Sequence, residues 1–155
     1  VDPSLGPYLS RVAALDSEHY EDALNHDSGL MGLSGPSDMK ELEQRRAGGD
    51  ADAALAFDVM TYRLRKYIGA YAVALGRVDA IAFTGGIGEH SDALRGAVLD
   101  DLAVLGVELD ATNNRQPTPP ERCISTPASA IPAYVIPTHE ELEIARSCAR
   151  VLATP

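Results

Sequence analysis

The stretch Val78-Asp79-Ala80-Ile81-Ala82-Phe83-Thr84-Gly85-Gly86-Ile87-Gly88-Glu89-His90-Ser91 decides the fold. Residues 78–83 are a short apolar run with the length and composition of a buried strand. Glycines at 85, 86 and 88 interrupt it. Beyond Ser91 the period lengthens, with Leu94, Val98, Leu102 and Leu105 at helical steps, Ser91 as a cap and Gly106 as a stop. The pattern recurs near the end of the chain. Ala133-Tyr134-Val135-Ile136 predicts a second buried strand, halted by Pro137; Thr138 and Glu141 then stand at capping-box spacing. Leu142, Ala145, Ala149 and Leu152 predict the buried face of a last helix. Strand, turn and helix twice over predict an α/β fold with a parallel sheet.

Upstream, the pattern is helical. Leu5, Leu9, Val12 and Leu15 predict a helix over 3–14, and Ser17 is a candidate cap for a second helix to about residue 26. Residues 27–37 hold Gly29, Gly32, Gly35 and Pro36 among Leu30, Met31 and Leu33, which predicts an apolar loop. A charged helix over 38–47 closes at Gly48-Gly49. Asp50 then caps the strongest periodic segment, a helix over 51–75. Its apolar stripe is Leu55, Val59, Leu64, Ile68, Tyr71 and Leu75; the opposite line includes Gly69, Ala72 and Gly76, so the helix can pack on two sides. Residues 107–109 predict a short strand and 113–120 a surface loop.

The 155 residues suffice for one domain of ordinary size. With 23 acidic against 13 basic residues the net charge is −10, which excludes a generic nucleic-acid binder, whose basic face must displace counterions from phosphates. An apolar share of 45% and a charged share of 23% exclude wholesale disorder. No apolar run approaches the roughly 20 residues that span a bilayer, so no membrane partner is expected. Cys123 and Cys148 form no disulfide framework or metal motif and read as small core residues; with no signal-peptide pattern, a cytoplasmic location is expected. The chain opens on Val1-Asp2-Pro3 without Met, which fits processing or a piece of a longer polypeptide.

Three places could carry chemistry. The glycine turn at 85–88 sets bare backbone N–H groups at a helix start, where an anion can approach, and a side chain at Gly86 or Gly88 would intrude on such a ligand. It lacks the Gly-Lys-Ser/Thr ending of a phosphate loop, and Ser91 stands where a dinucleotide fingerprint has its third glycine. A tight turn with no ligand is the competing reading. Glu140 and Glu141 open the last helix, where carboxylates either complement the helix dipole or hold Mg²⁺ at the end of a parallel strand. Asp38 either caps its helix or accepts hydrogen bonds from a ribose. His19, His26, His90 and His139 are scattered and read as surface or packing residues.

Five ordered stretches carry a resemblance: Ser28-Gly-Leu-Met-Gly-Leu-Ser34; Ser37-Asp38-Met39-Lys40; Tyr62-Arg63 through Lys66-Tyr67-Ile68-Gly69-Ala70-Tyr71; Val78–Ile81 running into Phe83–Glu89; and Val135-Ile136-Pro137-Thr138 before Glu140-Glu141-Leu142. Over nearly its whole length the chain resembles the C-terminal portion of the acetokinase family of acyl-phosphate-forming kinases. The resemblance implies part of the second domain of a duplicated fold like that of actin, the Hsp70 ATPase domain and sugar kinases (ribonuclease H-like), built of strand–glycine turn–helix units. It implies reversible, Mg²⁺-dependent transfer of the γ-phosphate of ATP to acetate, giving acetyl phosphate and ADP, in a cytoplasmic homodimer. Carried over by position, Gly86, Ile87, Gly88, Glu89 and His90 surround the adenosine, Asp38, Met39 and Lys40 lie on the other side of the nucleotide, and Glu140 holds the metal.

The family usually has Arg at the position of Lys40 and Asn at those of His90 and His139; lysine keeps the charge and loses the planar fork. The family's N-terminal phosphate strand, acetate pocket and catalytic Arg and His residues have no counterpart in these 155 residues. No catalytic residue is therefore assigned, residues 1–155 are expected to be the nucleotide-binding portion, and the chain alone is expected to be inactive. The alternatives are a stand-alone non-catalytic nucleotide-binding or dimerisation module, a propionate kinase segment, or an unrelated α/β binding protein.

Overall fold

A computed structural model describes residues 2–35 and 37–153, and the chain falls into two units, Val1–Arg63 and Leu64–Pro155. The first unit is helical: α1 (Leu5–Ala13), α2 (Ser17–His26), α3 (Gly29–Ser34), α4 (Met39–Ala47) and the first half of α5 (Ala51–Leu75). Ser17 is the first residue of α2 and not its cap. Asp16, one residue earlier and extended, accepts the His19 N–H instead. The segment predicted as an apolar loop contains α3, with the Ser34 hydroxyl donating to the Leu30 carbonyl at 2.9 Å; Pro36 lies outside the described residues.

The core of this unit is Met39, Leu42, Ala53, Ala56 and Phe57. Arg45 ties its pieces together. Nε and Nη2 donate to Asp50 Oδ2 at 2.9 and 2.6 Å, and Nη1 donates to the Ser34 carbonyl at 2.6 Å. Asp50 Oδ1 caps α5 by accepting the N–H groups of Asp52 and Ala53 at 3.0 and 3.1 Å. The Arg46 guanidinium lies 4.1 Å from the centroid of the Phe57 ring, a cation–π contact.

The second unit holds the sheet. Strand β1 (Ile81–Phe83) pairs in parallel with β3 (Ala133–Val135), Ile81 opposite Ala133 and Phe83 opposite Val135. Strand β2 (Arg122–Cys123) joins β3 antiparallel, giving the order β1-β3-β2. The sheet is therefore mixed, and the parallel expectation holds for one pair. Two residues behind Pro119-Pro120 carry no periodic signal, so β2 is illegible in sequence. Ser91 caps α7 (Asp92–Asp100) by accepting the Leu94 N–H at 2.9 Å, and a 3₁₀ turn (Ala103–Leu105) ends at Gly106 with φ +74°. The expected strand at 107–109 reduces to one bridge, Leu109 to Ser125. The expected surface loop begins inside α8 (Ala111–Arg115). Phe83, Leu94, Val98, Leu99, Leu102, Val107, Ile124, Ala133 and Val135 form the core.

Two predicted faces are not buried. On α5 the buried residues are Ala53, Ala56, Phe57 and Thr61, while Leu55, Val59, Tyr62, Tyr67, Tyr71 and Leu75 are exposed. Helix α9 (Glu140–Ala153) buries none of its residues, Leu142, Ala145, Ala149 and Leu152 included. Periodicity reports that a helix has an apolar face, not that anything covers it. Cys123 and Cys148 are free and exposed rather than in the core. Among the described residues no helix is long and apolar enough to cross a membrane.

Candidate functional site

The two parallel strands end side by side, and the chain beyond each of them forms the walls of one cleft. Beyond β1, Thr84 leads into α6 (Gly85–His90), so the glycine turn is itself a short helix. Beyond β3, residues 136–139 lead into α9. Gly85, Gly86, Glu89, Thr138, His139, Glu140, Glu141 and Leu142 line an open cavity of about 380 Å³. That volume is within the roughly 300–1,000 Å³ of small-molecule sites, and the position, outside the carboxyl ends of parallel strands, is where open α/β sheets take their ligands.

The three glycines have different reasons. Gly85 has φ +72°, a left-handed conformation that side chains resist. A Cβ on Gly86 would meet nothing within 4 Å, so this wall of the cleft is bare. A Cβ on Gly88 would stand 3.2 Å from the carbonyl carbon of Phe83, so Gly88 is glycine to let α6 lie against β1. The expectation that side chains at both positions would enter a ligand site is thus corrected at Gly88, where a side chain meets the protein's own strand.

Glu89 is turned into the structure. Its Oε1 accepts the N–H of Gly85, the N–H of Thr138 and the hydroxyl of Thr138, each at 3.0 Å. The Thr138 backbone N–H is the main cause that holds this carboxyl below the usual carboxylate range; desolvation opposes it, and the Thr138 hydroxyl and Gly85 N–H add to it. Thr138 Oγ1 also accepts the Gly85 N–H at 2.8 Å and lies 2.7 Å from Thr84 Oγ1. The expected capping box is absent for this reason: the Thr138 hydroxyl faces α6, and α9 starts behind His139, whose φ is +50°.

A buried strut fixes the far end of α6. Arg95 on α7 is 1% exposed; Nη1 donates to the carbonyls of Gly88 and Glu89 at 2.8 and 2.9 Å. Nε and Nη2 donate to the side chain and backbone oxygens of Asn114 on α8, both at 2.7 Å. Asn114 in turn donates to the Asp92 carbonyl at 2.9 Å. Sequence reading missed both residues. The available signal was a single arginine on the face of α7 that carries Leu94, Val98 and Leu99.

Of the residues proposed from sequence, Gly86, Glu89, Glu140 and Glu141 meet at this cleft. Ile87 is 39% exposed, and His90 is exposed at the end of α6. Asp38, Met39 and Lys40 belong to the first unit: Asp38 caps α4 through the Glu41 N–H at 2.9 Å, Met39 is buried in the core, and Lys40 is exposed. Among the described residues no group of three or more His, Cys, Asp or Glu side chains converges as a metal site. Glu140 and Glu141 on the α9 wall of the cleft do fit Mg²⁺, which is commonly held by one or two carboxylates together with phosphate and water oxygens. A depression of about 440 Å³ along α2, lined by Glu18, His19, Glu21, Asp22, Asn25 and His26, is a poorer candidate. Its lining comes from one helix, α2, and from no strand end.

The model of the acetokinase family matches residues 1–146. The chain is 41% identical over 152 residues to the acetate kinase of Nitratidesulfovibrio vulgaris (strain DSM 19637 / Miyazaki F), covering 98% of this chain and 38% of that protein. Among solved structures, it matches the acetate kinase of Porphyromonas gingivalis with TM-score 0.88 and 37% identity, over 98% of this chain and 38% of that one. It matches a propionate kinase from Francisella tularensis subsp. tularensis SCHU S4 with TM-score 0.86 and 36% identity, over 94% of this chain and 37% of that one. The chain thus spans little more than a third of the length of these relatives. The mixed α/β arrangement agrees with the actin, Hsp70 and sugar-kinase-like class expected from the sequence. With the family model matched along nearly all of its length, the chain belongs to the acetokinase family.

Proposed function

We propose that this chain is the nucleotide-binding portion of an acetate kinase, which transfers the γ-phosphate of ATP to acetate and runs in reverse from acetyl phosphate and ADP. One observation carries the reading: a bare glycine wall and the carboxylates of Glu140 and Glu141 share a cleft at the ends of two adjacent parallel strands. In the transfer, an acetate oxygen bonds to the γ-phosphorus as the bond from that phosphorus to ADP breaks. Gly86 leaves room for the nucleotide, and the Arg95 strut holds the carbonyl end of its helix in place. Glu140 is the residue that would hold Mg²⁺, whose charge offsets that on the phosphoryl oxygens. Glu89, with Oε1 engaged by three donors, shapes the turn. The nucleotide contacts assigned to Asp38, Met39, Ile87, Gly88, Lys40 and His90 rest on the family pattern.

The reaction belongs in the cytoplasm, and the protein acts as a homodimer formed through this portion. The exposed Leu55, Val59, Tyr62, Tyr67 and Tyr71 on α5 support the dimer. The cations that stabilise the transferring group are not among these residues, and loss of one such stabiliser costs on the order of 100- to 1000-fold in rate. The 155-residue chain alone therefore forms no detectable acetyl phosphate. The test is acetyl phosphate formation by the full-length protein with Mg-ATP, comparing kcat/KM for acetate and propionate. A preference for propionate moves the assignment to the propionate kinases, to one of which the chain is also similar. Failure with both acids refutes it.

A further inference from the structure

The hydrogen-bond network at the floor of the cleft is closed. The Thr138 hydroxyl donates its one proton to Glu89 Oε1 and uses both lone pairs, accepting the Gly85 N–H and the Thr84 hydroxyl. Glu89 in turn accepts from both walls: Gly85 N–H at the start of α6 on one side, Thr138 N–H on the other. These are charge-assisted bonds, about twice as strong as neutral ones. They link residues 49 positions apart in sequence, with nothing covalent between them. Two residues after Thr138 the chain reaches Glu140, and the intervening His139 is held in the left-handed region, at φ +50°. The backbone position of Glu140 is thus set from the anchored Thr138 across a constrained residue.

We propose that Glu89 is a positioning residue that couples the two functions of the cleft, fixing the glycine turn and the Glu140 carboxylate in one geometry through Thr138. The proposal rests on the reading of the cleft as a Mg-nucleotide site and goes beyond it. On this proposal the removal of Glu89 acts on the metal's contribution to binding rather than on nucleotide contact alone.

The experiment is calorimetric titration of the full-length protein with ADP, once in EDTA and once with excess Mg²⁺. The ratio of the two dissociation constants reads what the metal adds. Glu140→Gln tests the underlying reading and is expected to bring that ratio close to one. Glu89→Gln, nearly the same shape, is expected to shrink the ratio at least about fivefold, the size of coupling common within one hydrogen-bond network. Thr138→Val does the same, the double variant does no more than either single one, and Thr138→Ser keeps the wild-type ratio. A residue that only stabilised the fold would lower the melting temperature and leave the ratio alone. An unchanged ratio in Glu89→Gln beside a lost one in Glu140→Gln overturns the coupling and leaves the site standing. An unchanged ratio in Glu140→Gln removes the metal reading and the coupling with it. If Glu89→Gln does not fold, the Thr138→Val and Thr138→Ser pair decides.

Discussion

Gly86→Val and Gly88→Val, two residues apart on one short helix, should fail in opposite ways. At Gly86 an added Cβ meets no atom within 4 Å, and the backbone is not in the left-handed region. Valine is also a slightly better helix former than glycine, by a few tenths of a kcal/mol, so folding should be kept within about 0.5 kcal/mol. The new side chain projects from a wall of a cavity of about 380 Å³. The expected result is a KM for ATP raised at least about tenfold, equivalent to about 1.4 kcal/mol, with the KM for acetate changed much less. At Gly88 the Cβ lies 3.2 Å from the Phe83 carbonyl carbon and 3.5 Å from its Cα. Those are backbone atoms of β1, paired to β3, and cannot swing aside. Overpacking of this kind costs about 1–3 kcal/mol, so Gly88→Val should melt several degrees lower. The KM for ATP of its folded fraction should move less than in Gly86→Val. Thermal unfolding, then initial rates against each substrate in the full-length protein, separate the two. A well-folded Gly86→Val with an unchanged KM for ATP removes this cleft from the nucleotide's path. A destabilised Gly86→Val beside a stable Gly88→Val refutes the orientation of the turn.

Arg95→Met keeps the length of the side chain and leaves the carbonyls of Gly88, Glu89 and Asn114 without these donors, so stability should fall by about 3 kcal/mol or more in denaturant titration; a loss under about 1 kcal/mol would show that the strut is dispensable. His139, at φ +50°, should accept Asn with little change, because Asn tolerates the left-handed region, while His139→Val should lose about 1–2 kcal/mol. Equal melting temperatures for the two variants would contradict that conformation. The Asp50 carboxyl is held below its usual range chiefly by the Ala53 N–H and next by Arg45. Its contribution to stability is therefore complete above the unfolded-state value of about 3.9 and disappears as pH falls through the lower folded-state value. Asp50→Asn should lower the urea midpoint at pH 7 and flatten the acid limb; an acid limb parallel to that of wild type would exclude Asp50 as its source.

Local chemistry reached the sequence at several places where one residue acts on its near neighbours, though the cap of α2 proved to be Asp16 and not Ser17. Asp38, Asp50 and Ser91 each cap the helix that follows within three residues, so all three were legible. The span of α5 was legible because a period sustained over 25 residues outweighs any single exception. Gly86 and Glu140 were marked by residue type and by position after an apolar run. What sequence could not supply was the partner across space. Thr138 and Glu141 have the spacing of a capping box, yet the Thr138 hydroxyl faces Gly85 and Glu89, because β1 and β3 pair in parallel and end side by side. Glycine at 88 looked like room for a ligand, and only the packing of α6 on β1 shows that the room is for Phe83. Arg95 went unread in the sequence because two of its acceptors belong to Asn114, 19 residues on. Amphipathic periods predicted burial for faces of α5 and α9 that the described residues leave exposed. A pattern along the chain fixes how each element would pack and which donors it carries, but burial, acceptor choice and cleft walls are properties of pairs of segments, decided only when the tertiary structure brings them together.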